Sequence, residues 1–357
     1  MVKKELFGLL SDGRPVHIFT ITNGSGEYVE VFDFGACLHS AFVLDREGKL
    51  GDVLLGVTEA RELEKRSLEG FVVGRVANRI AYGKCVIDGK LIQLETNQRD
   101  GNFLHGESGN YAFRMFDGSF LPDGDTVTFR MRDMGGGGFT VPVDVEISYT
   151  FTNDHRLRLH YVMTPEDTTL LCPTNHAYFN LGNYGDVRNH YLKIFSDNLA
   201  KKGPSGAPEG GLLSVLNTPA DFIQPQLLGD ALDSDPEHKF FGQNVEYDDF
   251  YVIPGEGMRQ FAEYYAPETG RCMEVWSDMD SLILFTPSKC AEKKPKYDGI
   301  QYPKYGAVCL ETQFVPNAIN CPEFRAPLFR KGEKLDTVTE YRFLTRKKCF
   351  YNEQESG

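Results

Sequence analysis

A histidine and a glutamate, each set in a dense polar segment and far apart along the chain, are the residues here best suited to proton chemistry. They are His176 in Cys172-Pro-Thr-Asn-His-Ala-Tyr-Phe-Asn-Leu181 and Glu311 in Cys309-Leu-Glu-Thr-Gln-Phe-Val-Pro-Asn-Ala-Ile-Asn320. An imidazole and a carboxyl can each give and take a proton near neutral pH, so together they suffice for two-sided acid-base catalysis on a polar molecule. Neighbouring amides such as Asn175 are expected to hold one imidazole nitrogen and so fix the tautomer that the other presents. Glu311 follows the apolar run Ala307-Val-Cys-Leu310, which predicts a carboxylate on or just past a buried strand, where desolvation raises its pKa.

Two further clusters concentrate hydrogen-bonding side chains. Gly74-Arg-Val-Ala-Asn-Arg-Ile80 offers Arg75, Asn78 and Arg79 as donors to hydroxyls or carboxylates, against the plainer reading of a solvated turn in which Arg79 pairs with an acid. Asn102-Phe-Leu-His-Gly106 places His105 between an apolar pair and a glycine, where a hydrogen-bonded structural histidine is the plainer reading. Other chemistries lack their patterns. The histidines form no HxH or HExxH spacing, and neither a phosphate-binding GxxxxGK[ST] loop nor a GxSxG elbow is present. What remains is cofactor-free acid-base chemistry, or binding without turnover.

The elements that must position these residues are strands. Val143, Val145, Ile147, Tyr149 and Phe151 alternate with polar residues, Asn153-Asp154 turns the chain, and Leu157, Leu159, Tyr161 and Met163 alternate back, predicting a β-hairpin. A second hairpin is predicted over 84–94, with Asp88-Gly89 supplying a turn that needs positive φ. Asp125–Arg132 reads as a half-exposed strand, and the one helical pattern lies near Thr58–Arg66. The fold class is therefore all-β with long loops. With 357 residues and no linker-like shift in composition, residues 1–357 are expected to form one domain without internal repeats.

Composition narrows the partners. Hydrophobic residues are 41% and charged residues 25%, the balance of a water-soluble globular chain. A net charge of -13 repels phosphate backbones and anionic headgroups, so neither nucleic acid nor membrane is expected as a partner. The N-terminal ten residues are too short an apolar run for a secretory signal. The eight cysteines show no CxxC pair and read as buried thiols of a cytoplasmic protein. A β-fold with edge strands leaves monomer and homodimer both open.

Taken together, Gly74–Gly83, Asn102–Gly106, Gly138-Phe139, Thr174–Leu181, Pro267-Glu-Thr-Gly-Arg271 and Glu311–Asn320 resemble, in order and separation, the aldose 1-epimerase or galactose mutarotase family over roughly residues 30–345. The resemblance implies a large antiparallel supersandwich, no cofactor, and interconversion of the α and β anomers of free hexoses such as D-galactose and D-glucose. It implies His176 and Glu311 as the catalytic acid and base, and Asn78, Arg79, His105 and Asp248 as sugar-binding residues, with Tyr178 as a floor for the cleft or a core residue. This chain departs from the family pattern at Asp249 and Phe250, where histidine and asparagine are usual, and at Ile283, near a sugar-contacting glutamine of some members. The departures spare the catalytic pair and bear on which sugar is taken. Two alternatives stand beside the enzyme: a carbohydrate-binding sandwich without turnover, and an epimerase for a different reducing sugar.

Overall fold

The computed structural model describes residues 1–65, 68–97, 99–237, 239–241 and 245–346. Antiparallel strands dominate, as the alternation predicts. The first fifty residues form a five-stranded meander in sequence order, from Val2–Leu9 to Leu50–Asp52. The predicted hairpin is Val143–Phe151 paired with Arg156–Pro165, in the register Val143↔Pro165 to Phe151↔Leu157. Its alternate residues are buried, which is why the sequence alternates. The second hairpin, Lys84–Ile87 with Lys90–Gln93, closes through Asp88 at φ 48 and Gly89 at φ 77, the two left-handed residues that its turn demands.

The hairpin belongs to a nine-stranded sheet with an informative order. Asp117–Phe120, Thr126–Asp133, Val143–Phe151 and Arg156–Pro165 follow one another, and then Leu335–Thr345 is inserted. Arg271–Ser277, Arg259–Tyr265, Tyr191–Ile194 and Gln226–Leu227 complete the sheet beyond it. A second five-stranded sheet runs Pro208–Ser214, Asn198–Lys202, Asp248–Val252, Ser281–Phe285, Cys309–Gln313. The largest apolar cluster draws on all three sheets, including Phe19, Val31, Tyr149, Leu159, Tyr251 and Leu284. Its burial is the main force assembling them.

Helix is scarce. The pattern near Thr58–Arg66 forms only a 3-10 turn, Ala60–Glu64, packed through Ala60 and Leu63, and Arg66 lies outside the described residues. The one α-helix described, Leu228–Asp233, went unpredicted: at six residues it is too short to write a 3.6-residue period into the sequence. Cys37, Cys85, Cys172, Cys272, Cys290, Cys309 and Cys321 are buried and unbridged, as expected, and Cys349 lies outside the described residues. No helix among the described residues is long and apolar enough to cross a membrane.

Candidate active site

Glu311 is the central residue of the edge strand Cys309–Gln313. The strand's pleat sends Leu310 and Thr312 toward the nine-stranded sheet, where the Tyr341 hydroxyl donates to Leu310 O at 3.4 Å and the Thr312 and Thr339 hydroxyls bond each other. Glu311 consequently points to the opposite face, with Ile283 beside it on the neighbouring strand and Phe250 beyond Ile283. It is 2% exposed, and Oε2 has no hydrogen-bond partner. Burial drives its pKa well above the ordinary carboxyl value, Asp248 adds to the rise and Arg79 opposes it.

His176 reaches the same face from a short ladder. Thr174 and Asn175 pair with Val73 and Val72, and the His176 N–H donates to Phe71 O at 2.9 Å. Thr174 Oγ1 donates to Thr312 O at 2.9 Å, tying the segments of His176 and Glu311 together across 138 residues of sequence. The result is His176 Nε2 3.5 Å from Glu311 Oε1. Tyr178 stacks on the imidazole at 5.2 Å between centroids and 18° between planes, and Phe285 meets it edge-on at 6.1 Å. Enclosed in this way, His176 is 6% exposed and burial lowers its pKa to about 4.

The expected tautomer lock is absent. Asn175 Nδ2 donates instead to Gly70 O at 2.7 Å and to the Tyr149 hydroxyl at 3.3 Å, and His176 Nδ1 is buried without a partner. Successive residues of an extended segment face opposite ways, so an amide directly beside the histidine points away from the ring.

His105 and Arg79 come from a second short ladder, Phe103↔Ile80 and Leu104↔Arg79. Asn78 and His105 extend it in left-handed conformations, φ 59 and 55. The His105 N–H donates to Asn78 O, and the Asn78 N–H donates to His105 Nδ1, both at 3.1 Å. Because Nδ1 accepts, the proton of neutral His105 is on Nε2, which is a donor. Burial, followed by His176 and then Arg79, pushes the His105 pKa well below its ordinary value, so the ring stays neutral. The His105 and His176 rings lie 5.5 Å apart, edge to face. The glycine run is explained here too: a Cβ on Gly137 would come within 2.3 Å of Gly106 O, and Gly137 has φ +64, so the 135–138 loop can close over the His105 turn only as glycine.

Arg79 Nη1 lies 3.3 Å from Asp248 Oδ2, and its Nε lies 3.3 Å from Asp100 Oδ2. The arginine side chain is 18% exposed and that of Asp248 37%, so the group opens to solvent on this side while Glu311 and His176 lie deep. Asn78 spends its Oδ1 on the Arg79 N–H at 2.8 Å. Arg75 does not join the site. Its guanidinium bonds Asp133 at 2.6 and 2.8 Å and Thr169 at 3.3 Å in the interior, with Tyr111 on the same carboxylate. Arg271 is likewise internal, donating to Leu181 O, Val43 O and Asn183.

Two of the three departures, Phe250 and Ile283, form the adjoining wall, and Asp249 turns to the opposite face of its strand beside Leu284. Phe250 and Ile283 are buried with Ala200, Val315 and Ala318 in an apolar patch, and Asp249 pairs with Lys202 at 2.8 Å. Sequence reasoning missed Phe285, Glu69 and Lys293. Phe285 was within reach, since it shares the alternating face of Ile283, which pairs with Glu311. Glu69 and Lys293 meet only through the tertiary fold, Lys293 pairing with Glu69 and lying 5.2 Å over the Tyr178 ring.

Comparison with known proteins identifies the family. The chain is 29% identical over 350 residues to the aldose 1-epimerase of Escherichia coli K12, covering 94% of this chain and 97% of that one. It is 31% identical over 347 residues to the galactose mutarotase of Rattus norvegicus, covering 96% and 98%. The crystal structure of a GalM/aldose epimerase homologue from C. elegans superimposes with a TM-score of 0.83 at 25% identity, covering 92% and 98%. The model of the aldose 1-epimerase family matches residues 17–342, and the chain belongs to that family.

Proposed function

We propose that this protein is a mutarotase that opens and recloses the ring of a free aldohexose, with D-galactose and D-glucose the first candidates, using Glu311 and His176 as the proton-exchanging pair. The observation that carries the assignment is the 3.5 Å between His176 Nε2 and Glu311 Oε1 in a buried setting. Mutarotation exchanges protons at the ring oxygen and the C1 hydroxyl, two oxygens on one carbon, so its acid and base must be close neighbours. Binding alone requires no such pair.

In ring opening, Glu311 takes the C1 hydroxyl proton while protonated His176 donates to the ring oxygen. The C1–O5 bond breaks and the aldehyde forms. Rotation about C1–C2 presents the other face, and His176 then removes the proton from the C5 hydroxyl while Glu311 returns one to O1. Opening begins from carboxylate and imidazolium, and closure begins from carboxyl and imidazole. Both forms hold one proton, so the pair passes between them without exchange with water. Burial raises the Glu311 pKa and lowers that of His176, which favours the neutral form in the empty site. His105 Nε2–H is directed to an oxygen at C1 or the ring, and Arg79, Asp248 and Asn78 hold hydroxyls farther from C1.

The test is relaxation of freshly dissolved α-D-galactose and α-D-glucose, followed by polarimetry or anomeric proton NMR. Acceleration that vanishes in Glu311→Gln and His176→Asn is the expected result. Equal acceleration by wild type and both variants would overturn the assignment of the pair. Binding without acceleration of any reducing sugar would leave a carbohydrate-binding sandwich.

A further inference from the structure

Two charged residues outside the substrate-facing set bear on His176. Glu69 precedes Gly70, whose N–H donates to His176 O at 2.9 Å and whose carbonyl takes the Asn175 amide at 2.7 Å. Gly70 has φ +78, and a Cβ there would fall 1.9 Å from Leu38 O, so the turn that brings Glu69 against the histidine's backbone needs glycine. Lys293 arrives on the loop that follows the 281–285 strand. That loop is staked by Lys296, whose buried ammonium donates to His39 O at 2.7 Å, Ser40 Oγ at 2.8 Å and Asp52 Oδ2 at 2.5 Å. Lys293 pairs with Glu69 and lies 5.2 Å over the Tyr178 ring, and Tyr178 is stacked on His176.

We propose that Glu69 and Lys293 are a positioning pair that sets the protonation balance of His176, Glu69 favouring the imidazolium used in ring opening and Lys293 the neutral imidazole used in closure. The inference rests on the reading of His176 as the proton donor to the ring oxygen. The other charged or titratable groups facing His176 are Glu311 on the 309–313 strand, His105 on the loop after Leu104, and Asp248 with its partner Arg79. Those groups are assigned to substrate, so they change partners in each catalytic cycle, whereas Glu69 and Lys293 reach His176 through backbone and an aromatic ring and stay in place. Burial dominates the lowered His176 pKa, Glu69 is the largest influence opposing it, and Lys293 reinforces it. The Lys293 side chain is 27% exposed, at the edge of a recess of about 300 Å³ that Leu55, Val57 and Tyr302 help to line, so its replacement leaves no sealed void.

The experiment compares Lys293→Met, Glu69→Gln, the double variant and Lys293→Arg, reading the His176 ring signals by NMR titration and the pH dependence of mutarotation. Lys293→Met moves the His176 midpoint and the acid limb of the rate profile upward, and Glu69→Gln moves both downward, each by about one unit. The double variant returns toward wild type and Lys293→Arg matches it. Opposite displacements cannot come from general loosening of the fold. Displacements of the same sign, or none, would overturn the inference even where His176→Asn abolishes activity. A midpoint that moves as expected while the rate profile stays still would uphold the charge coupling and overturn the catalytic role of His176. If one single variant fails to fold, the other keeps the test decisive, since its displacement has a stated sign and Lys293→Arg is the charge-conserving control that should show none.

Discussion

Glu311→Gln should separate activity from stability in opposite directions. Glutamine keeps the shape and the strand, and removes the only function for which a carboxyl is needed at a site 2% exposed. General acid-base groups contribute about 10²- to 10⁴-fold, so kcat should fall by that factor, roughly 2.7–5.5 kcal/mol at about 1.36 kcal/mol per decade. Stability should rise. The folded-state pKa of Glu311 lies well above the ordinary carboxyl value, so below the ordinary value both folded and unfolded chains hold the proton and the residue has no pH-linked effect. As pH rises between the ordinary and the raised value, the unfolded chain releases the proton first and the native state loses stability. Above that window the wild type carries a buried charge with Oε2 unpaired, which costs more than the neutral amide that glutamine puts in its place. Urea unfolding of wild type and variant from pH 4 to 9, alongside polarimetry on the same samples, reads both quantities. A variant retaining more than about a tenth of wild-type kcat would refute the base assignment, the smallest expected loss being a hundredfold. A variant less stable than wild type at every pH would refute the electrostatic argument.

Further expectations concern the remaining groups. Mutarotation should be flat with pH through neutrality and fall in acid as the pair takes a second proton, with His176, lowered to about 4, setting that limb; a midpoint near the ordinary histidine value would contradict its burial. Nitrogen-15 NMR should find His105 protonated on Nε2 and bare on Nδ1, with no second protonation at the ordinary histidine value, and the opposite tautomer would contradict the Asn78 bond. Arg75→Met should destabilise the fold by about 3–5 kcal/mol, because Asp133 is left buried without its cation, while the KM of the folded fraction stays at the wild-type value. Arg79→Met should do the reverse, raising KM with little loss in unfolding experiments, since Arg79 lies at the solvent-facing side of the site.

Where the sequence was readable, the signal was local. Alternation from Val143 to Met163 and the Asp88-Gly89 turn specify hairpins because the partners are a few residues apart. Glu311 was legible as a desolvated carboxyl because the apolar residues that directly precede it mark the strand it stands on as buried. The chemistry of Arg75 was not legible: a buried guanidinium and a sugar-binding one look alike until Asp133 is seen to occupy the first. The role of Asn175 was misread for the same reason, since its direction depends on the ladder with Val72, a contact far away in sequence. Glu69 and Lys293 carry no local mark, being charged residues among many, and acquire meaning only when a loop anchored at Asp52 brings them together.

The strand Leu335–Thr345 lies between Arg156–Pro165 and Arg271–Ser277, in the middle of the largest sheet. A ribosome releases it after both of its neighbours, so the growing polypeptide must wait with two unpaired β-edges separated by a slot one strand wide. Edges of that kind invite pairing with other chains. The inner face of the Glu311 strand rests on Thr339 and Tyr341, so the carboxyl proposed as the base gains its backing only when the slot is filled. Synthesis halted before residue 335 would thus yield an inactive, aggregation-prone product, and catalytic competence arrives together with protection from misassembly.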